Sequence, residues 1–292
     1  YEKEDLSYYY ALANRFAIGD RYFSSILAPT YPNRYFLYTG TAFGHVENID
    51  PNEQNHYSQK TIFDVLNEYK ISWKYYSSSK GYLHLFQPML QKNQDKIKGI
   101  LDYHEDLSHH RLPQIVFLES SDFLQDEHAP ANIHIGQEWV ARRIDALMNS
   151  SYWPRSALFL TYDENGGMFD HVAPPEACPP DEIDALIRSE SKTSSLAGDF
   201  RRYGFRVPFI AISPFAKRHF VSHQIYDHTS ILKFIETKFN LPALTRRDAN
   251  ANNMYDLFDF SRSDLETGKL PRVSPRIDQI MGCLIKGLWS LF

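Results

Sequence analysis

The sequence predicts an α/β fold built on a mostly parallel sheet, and three observations carry that prediction. Segments of helical and strand-like period alternate along most of the chain. The strand candidates are short, nearly continuous apolar runs, the pattern of strands buried on both faces. Three of those runs, "FLES", "FLTY" and "AIS", pass into polar loops, "SDFLQDEH", "DENGG" and "PFAKRHF". Parallel strands would bring all three ends to one edge of the sheet, where open α/β proteins build their sites. With 292 residues, 43% of them apolar, the chain can bury a sizeable core. One domain is expected over residues 1–262, with 263–292 as a C-terminal extension.

The elements follow in order. "TIFDVLNEYK" (61–70) has helical spacing, "ISWKYY" (71–76) is a strand, and "NQDKIKGILDYHEDL" (93–107) is a second helix. "PQIVFLES" (113–120) is a strand, and Trp139, Val140, Ile144 and Leu147 recur at helical spacing. "ALFLTY" (157–162) is a buried strand. From Pro174 to about Gly198 the composition turns to Pro, Asp, Glu and Ser, which predicts a surface insertion. "RVPFIAIS" (206–213) is another strand, and "HTSILKFIETKF" (228–239) is a helix with Asp227 or Thr229 as N-cap. The terminal "RIDQIMGCLIKGLWSLF" (276–292) repeats apolar residues at helical spacing. It is too short and too polar to span a bilayer, so it either docks on the core or makes a peripheral membrane contact.

Composition and missing motifs exclude several functions. The net charge is −5 with no dense Lys/Arg block, so there is no electrostatic footprint for nucleic acid. Cys178 and Cys283 are the only cysteines, which excludes a cysteine zinc site and leaves one disulfide open. No Gly-x-Ser-x-Gly elbow, Walker loop or His-Glu-x-x-His is present. The N-terminus "YEKEDLSYYY" has neither an initiator Met nor a signal-peptide core, so the chain reads as a mature or truncated product.

The chemistry concentrates in "TYDENGGMFDHVAPP" (161–175). Asp163 and Glu164 are adjacent hard-oxygen donors at a strand end, with Gly166 and Gly167 behind them to permit unusual backbone angles. An ordinary solvated turn is the plainer reading of the same residues. An EF-hand loop is excluded, because Met168 sits where that motif needs Gly and a strand precedes it. Thr30 lies between Pro29 and the Tyr31-Pro32-Asn33-Arg34 turn, a stiff setting that can hold one hydroxyl in place. A Thr hydroxyl needs a base or a metal to become a nucleophile, and a helix-capping Thr is the alternative. His128, in "QDEHAPANIHIGQEWV", stands between a strand and a helix, where a side chain can meet a phosphate or a leaving group. His45, His56, His84, His104, His109, His110, His134 and His219 are read as structural or surface residues, while His228 opens a helix.

Five blocks, in order, are similar to one family: "GDRYFSSILAPTYPNRYFLYTG", "DEHAPANIHIGQEWV", "TYDENGGMFDHVAPP", "GFRVPFIAISPFAKRHFVSHQIYDHTSILKFIE" and "LTRRDANANNMYDLFDF". The chain resembles the bacterial phosphoesterase family that contains the non-haemolytic type phospholipases C and certain acid phosphatases. The resemblance implies an alkaline-phosphatase-like, three-layer α/β/α sandwich and a divalent metal ion. It implies Thr30 as both nucleophile and metal ligand, Asp163 and Glu164 as metal ligands, and His128 against the phosphoryl group or leaving oxygen. His171 lies in a family block, and Asp20, Asn33 and His228 take supporting parts. The implied reaction is phosphate-ester hydrolysis through a phosphothreonine, with a phospholipid as preferred substrate. A phosphomonoester is the enzymatic alternative, and a non-catalytic lipid- or phosphate-binding relative is the other. A secreted or periplasmic location is implied as well. The family places a strand and a Glu-Asn-bearing motif ahead of these blocks, and none precedes Tyr1, so the chain is expected to be a fragment.

Overall fold

A computed structural model describes residues 1–49, 59–78, 81–120, 125–186 and 200–273. The elements are α1 (Ser7–Arg15), β1 (Ala17–Gly19), α2 (Thr30–Thr39), α3 (Ile62–Glu68), β2 (Trp73–Ser77), α4 (Gln87–Lys92), β3 (Ile97–Gly99) and α5 (Ile100–Ser108). They continue with β4 (Ile115–Glu119), α6 (Ile133–Met148), β5 (Leu158–Thr161), β6 (Phe209–Ile212), β7 (Val221–Ser222), α7 (His228–Phe239) and α8 (Arg246–Ala249).

Among the described residues the strands form two sheets, β3-β2-β4 and β5-β6-β1-β7. The first is parallel throughout, with Tyr75 opposite both Ile97 and Phe117. Side chains on β2 and β4 alternate between two cores, because successive residues of a strand point to opposite faces. Tyr76, Val116 and Leu118 join α1, α5 and α6 on one face. Tyr75, Ile115 and Phe117 join α2, α3 and α4 on the other. Helix, sheet and helix therefore stack as three layers. No helix among the described residues is long and apolar enough to cross a membrane.

Local signals placed most boundaries. Thr61 and Asp64 form a capping box that starts α3, and Asp227 with Ser230 forms one that starts α7, so the N-cap there is Asp227 rather than Thr229.

Two expectations need correction. The helix expected over 93–107 starts only at Ile100, after a 3₁₀ turn (Gln94–Lys96) and β3. The edge of β2 captures Ile97 and Lys98 into the sheet, and the Gly99 N–H, bonded to the Asp102 carboxylate at 2.8 Å, then opens the helix. Secondly, β6 is antiparallel to β5, with Leu158 opposite Ile212 and Thr161 opposite Phe209. The "AIS" end and its "PFAKRHF" loop therefore lie at the opposite edge from the "DENGG" loop. The long excursion after β5 lets the chain re-enter at the edge it left.

Within that excursion Glu176 bridges to Arg202, and the Leu186 N–H ties it to the body by donating to the Gly44 carbonyl at 2.8 Å. Past residue 262 the chain runs without regular structure to 273, with Asp264 near Arg15 at 3.8 Å and Leu270 and Val273 against the first core. The terminal stretch 276–292, including Cys283, lies outside the described residues, as does 187–199.

Candidate active site

Thr30 is the first residue of α2, and the N-cap position belongs to Pro29, which offers no side-chain cap. Thr30 is therefore not a capping residue, and its hydroxyl makes no hydrogen bond among the described residues. The loop that delivers it is held by Asn33, whose side chain is fully buried. Asn33 Oδ1 accepts from the Ile26 N–H at 3.1 Å, and Nδ2 donates to the Ala28 and Pro29 carbonyls at 2.8 and 3.2 Å. Only an amide can accept and donate in this way at one position.

One turn further on, at i+4 from Thr30 and so on the same helix face, Arg34 reaches two carboxylates. Its fork donates to Glu119 at the end of β4, with Nη2 at 3.0 Å from Oε1, and its Nε donates to Asp163 Oδ2 at 3.2 Å. The guanidinium also lies over the Tyr82 ring, 4.5 Å from its centre. Burial opposes the charge on Arg34, but Glu119 and Asp163 outweigh it and hold its pKa well above the ordinary value. The spacing from Thr30 was the available signal for Arg34. Nothing local marked Glu119.

Asp163 and Glu164 follow β5 directly. The Asp163 carbonyl accepts from His228 Nε2 at 2.6 Å, which places the hydrogen on Nε2 and leaves Nδ1 to accept from the Tyr22 hydroxyl at 3.1 Å. Burial lowers the pKa of His228, so it is a neutral pin on the Asp163 backbone. Glu164 is nearly buried; Oε2 accepts from the Gly166 N–H at 2.7 Å, and Oε1 lies 3.6 Å from His128 Nε2. Burial raises the Glu164 pKa, and the Gly166 N–H only partly offsets it. His128 is exposed, and its Nδ1 donates to the Ala129 carbonyl at 2.7 Å.

Asp163, Glu164 and His128 thus come together, and Arg34 ties Asp163 to the helix that Thr30 opens, with Asn33 holding the loop before that helix and His228 the Asp163 backbone. Asp20 and His171 form a separate group. His171 is 85% exposed with Nδ1 3.4 Å from Asp170, Arg206 grips Asp170 and the Asp20 carbonyl, and the Asp20 carboxylate meets His223 at 2.8 Å.

Among the described residues no group of three or more His, Cys, Asp or Glu side chains gathers closely enough to hold a metal ion. By donor chemistry alone, the Asp163 and Glu164 carboxylates and the Thr30 hydroxyl are hard oxygens of the kind a divalent cation takes. Among the described residues the Thr30 hydroxyl makes no hydrogen bond, and Glu164 is a nearly buried carboxylate whose pKa burial raises, with His128 at 3.6 Å.

Residues 1–242 match the Phosphoesterase family. Phospholipase C B of Mycobacterium tuberculosis is 33% identical over 295 residues, covering 89% of this chain and 56% of that protein. Non-specific phospholipase C6 of Arabidopsis thaliana is 31% identical, covering 94% of this chain and 56% of that protein. The chain spans about half the length of the curated relatives it matches. Among solved structures, the lipoteichoic acid synthase of Listeria monocytogenes is 12% identical with a TM-score of 0.54, covering 85% of this chain and 69% of that one. An alkaline phosphatase superfamily protein of Vibrio parahaemolyticus is 11% identical with a TM-score of 0.51, covering 83% and 62%. At such identities the likeness concerns the fold. The match over residues 1–242, with relatives above 30% identity, shows that the chain belongs to the phosphoesterase family, on an alkaline-phosphatase-like α/β fold.

Proposed function

We propose that the chain carries the site of a phospholipase C-like phosphoesterase with Thr30 as nucleophile. The observation that carries this reading is the placement of an unpaired Thr30 hydroxyl on the helix face whose next turn, Arg34, is locked to Asp163. Thr30 Oγ loses its proton to solvent and forms the bond to phosphorus as the ester P–O bond breaks. The positive end of α2 favours the phosphoryl oxygens, although the Tyr31 N–H is already given to Asn48 at 2.8 Å and Pro32 has none. His128 gives its Nε2 proton to the departing alcohol, and water then cleaves the phosphothreonine, returning the hydroxyl. Thr30, Asp163 and Glu164 are the residues that would hold a divalent ion. Such an ion supplies Lewis acidity to the nucleophile and the phosphoryl oxygens.

Two observations support a lipid over a soluble phosphomonoester. The relatives above are named phospholipases C. The loops that carry Thr30 and Glu164 also expose apolar side chains, Leu27 at 62%, Met168 at 58% and Phe169 at 83%. A peripheral membrane contact and a location outside the cytoplasm belong to the same reading.

The test compares phosphatidylcholine vesicles with a nitrophenyl phosphomonoester, with and without added divalent metal. Phosphocholine release from vesicles should dominate, and Thr30→Ala should lose at least about a thousandfold while staying folded. Turnover of the monoester alone would favour an acid phosphatase, and near-normal activity in folded Thr30→Ala would remove Thr30 from the mechanism.

A further inference from the structure

We propose that Glu127 is a positioning residue that sets the His128 loop against the Asp163-Glu164 loop, through the hydroxyls of Tyr9 and Tyr162. This inference rests on the function proposed above.

The geometry is that of a clamp. The Tyr9 hydroxyl, from α1, donates to Glu127 Oε1, and the Tyr162 hydroxyl donates to Oε2. Each end of the second bond is one residue from the site, since Glu127 precedes His128 and Tyr162 precedes Asp163. One phenol–carboxylate bond therefore couples two loops that are 35 residues apart in sequence. Their facing distance, His128 Nε2 to Glu164 Oε1, is 3.6 Å.

The anchor behind the clamp is rigid. The α1 N–H of Tyr8 donates to Gln137 of α6 at 2.9 Å, and its hydroxyl donates to Asp145 at 2.7 Å. Gly136, on the first turns of α6, leaves the space that the Glu127 side chain fills: a Cβ there would collide with Glu127 Cγ. His128 itself is 58% exposed and, among the described residues, its ring has only the Ala129 carbonyl and Glu164 as polar partners. Little else on the ring fixes where it points, so its placement falls to the backbone that Glu127 holds. A displacement on the scale of an ångström suffices to slow a proton transfer.

The test is Tyr162→Phe in the full chain, which removes one hydroxyl and keeps the ring. It should lower kcat on an alkyl phosphate ester about tenfold at unchanged KM, and leave a nitrophenyl ester nearly unaffected. In a His128→Ala background the same substitution should add nothing, because the group it positions is gone. Glu127→Gln, which can still accept from one tyrosine hydroxyl and donate to the other, should recover most of the rate that Glu127→Ala loses. Equal loss on both esters, or additivity with His128→Ala, would overturn the proposal. If the wild-type chain hydrolyses neither ester, the functional reading fails, and the clamp is judged on the His128 ring resonances. Those should shift and broaden in Tyr162→Phe, and an unchanged spectrum would sink the clamp as well.

Discussion

At the scale of single residues the proposed reaction separates side chains that would react from side chains that hold. His128 spends Nδ1 on the Ala129 carbonyl, so in the proposed acid role the proton would be given from Nε2. Removing a general acid hurts most when the departing alkoxide is basic. His128→Ala is therefore expected to slow lipid substrates by roughly a hundredfold or more and nitrophenyl esters much less. Equal damage to both would assign His128 to phosphate binding instead. Asp163 differs, since its carboxylate is tied to Arg34 and its carbonyl to His228. Asp163→Asn keeps the backbone pin and removes one anion. Calorimetric titration with a divalent metal should then show weaker affinity in a protein that melts like the wild type. Unchanged metal affinity would reduce Asp163 to a turn residue.

Among the elements, α2 decides where Thr30, the proposed nucleophile, stands, and a single buried amide holds the loop before it. Asn33→Ala removes the partner of the Ile26 N–H and a donor to the Ile26, Ala28 and Pro29 carbonyls, a loss of about 2–3 kcal/mol in a denaturant melt. Asn33→Asp should not rescue it, because a carboxylate accepts from Ile26 and cannot donate to Ala28 and Pro29. Recovery by aspartate would show that the acceptor alone matters. The start of α7 was legible to within two residues because a capping box spans only four, and the box that opens α3 is as local. The start of α5 was not: helical period continues back through "NQDKIKG", and only the edge of β2, some twenty residues upstream, pulls Ile97 and Lys98 into a strand.

For the whole molecule, stability depends on a buried acid far from the chemistry. Glu236 of α7 is pushed up to about 9, first by burial and then by the carboxylate of Asp248 on α8. Between its ordinary value and about 9 the folded state holds a proton that the unfolded chain has lost. Stability is therefore greatest below that window, falls as pH rises through it, and levels off above. The slope from this one group is at most about 1.4 kcal/mol per pH unit. Glu236→Gln should flatten the difference between urea melts at pH 6 and about pH 9, and parallel curves for both proteins would remove Glu236 as the cause.

By itself the sequence determined the alternation of helix and strand, the start of α7, the polar strand ends and the family blocks around Thr30, His128, Asp163 and Glu164. Those features are written within a turn of helix or a few residues of strand, where local sterics and hydrogen bonding decide. Only the tertiary structure decided that β6 runs back against β5, that Asp20 and His171 belong to a different cluster from Thr30, and that Arg34 joins α2 to two strand ends. Arg34 meets Glu119 and Asp163 across 85 and 129 residues of chain. No periodicity reports a contact of that separation, because it exists only once the apolar faces of β2 and β4 have been buried between their two layers of helices.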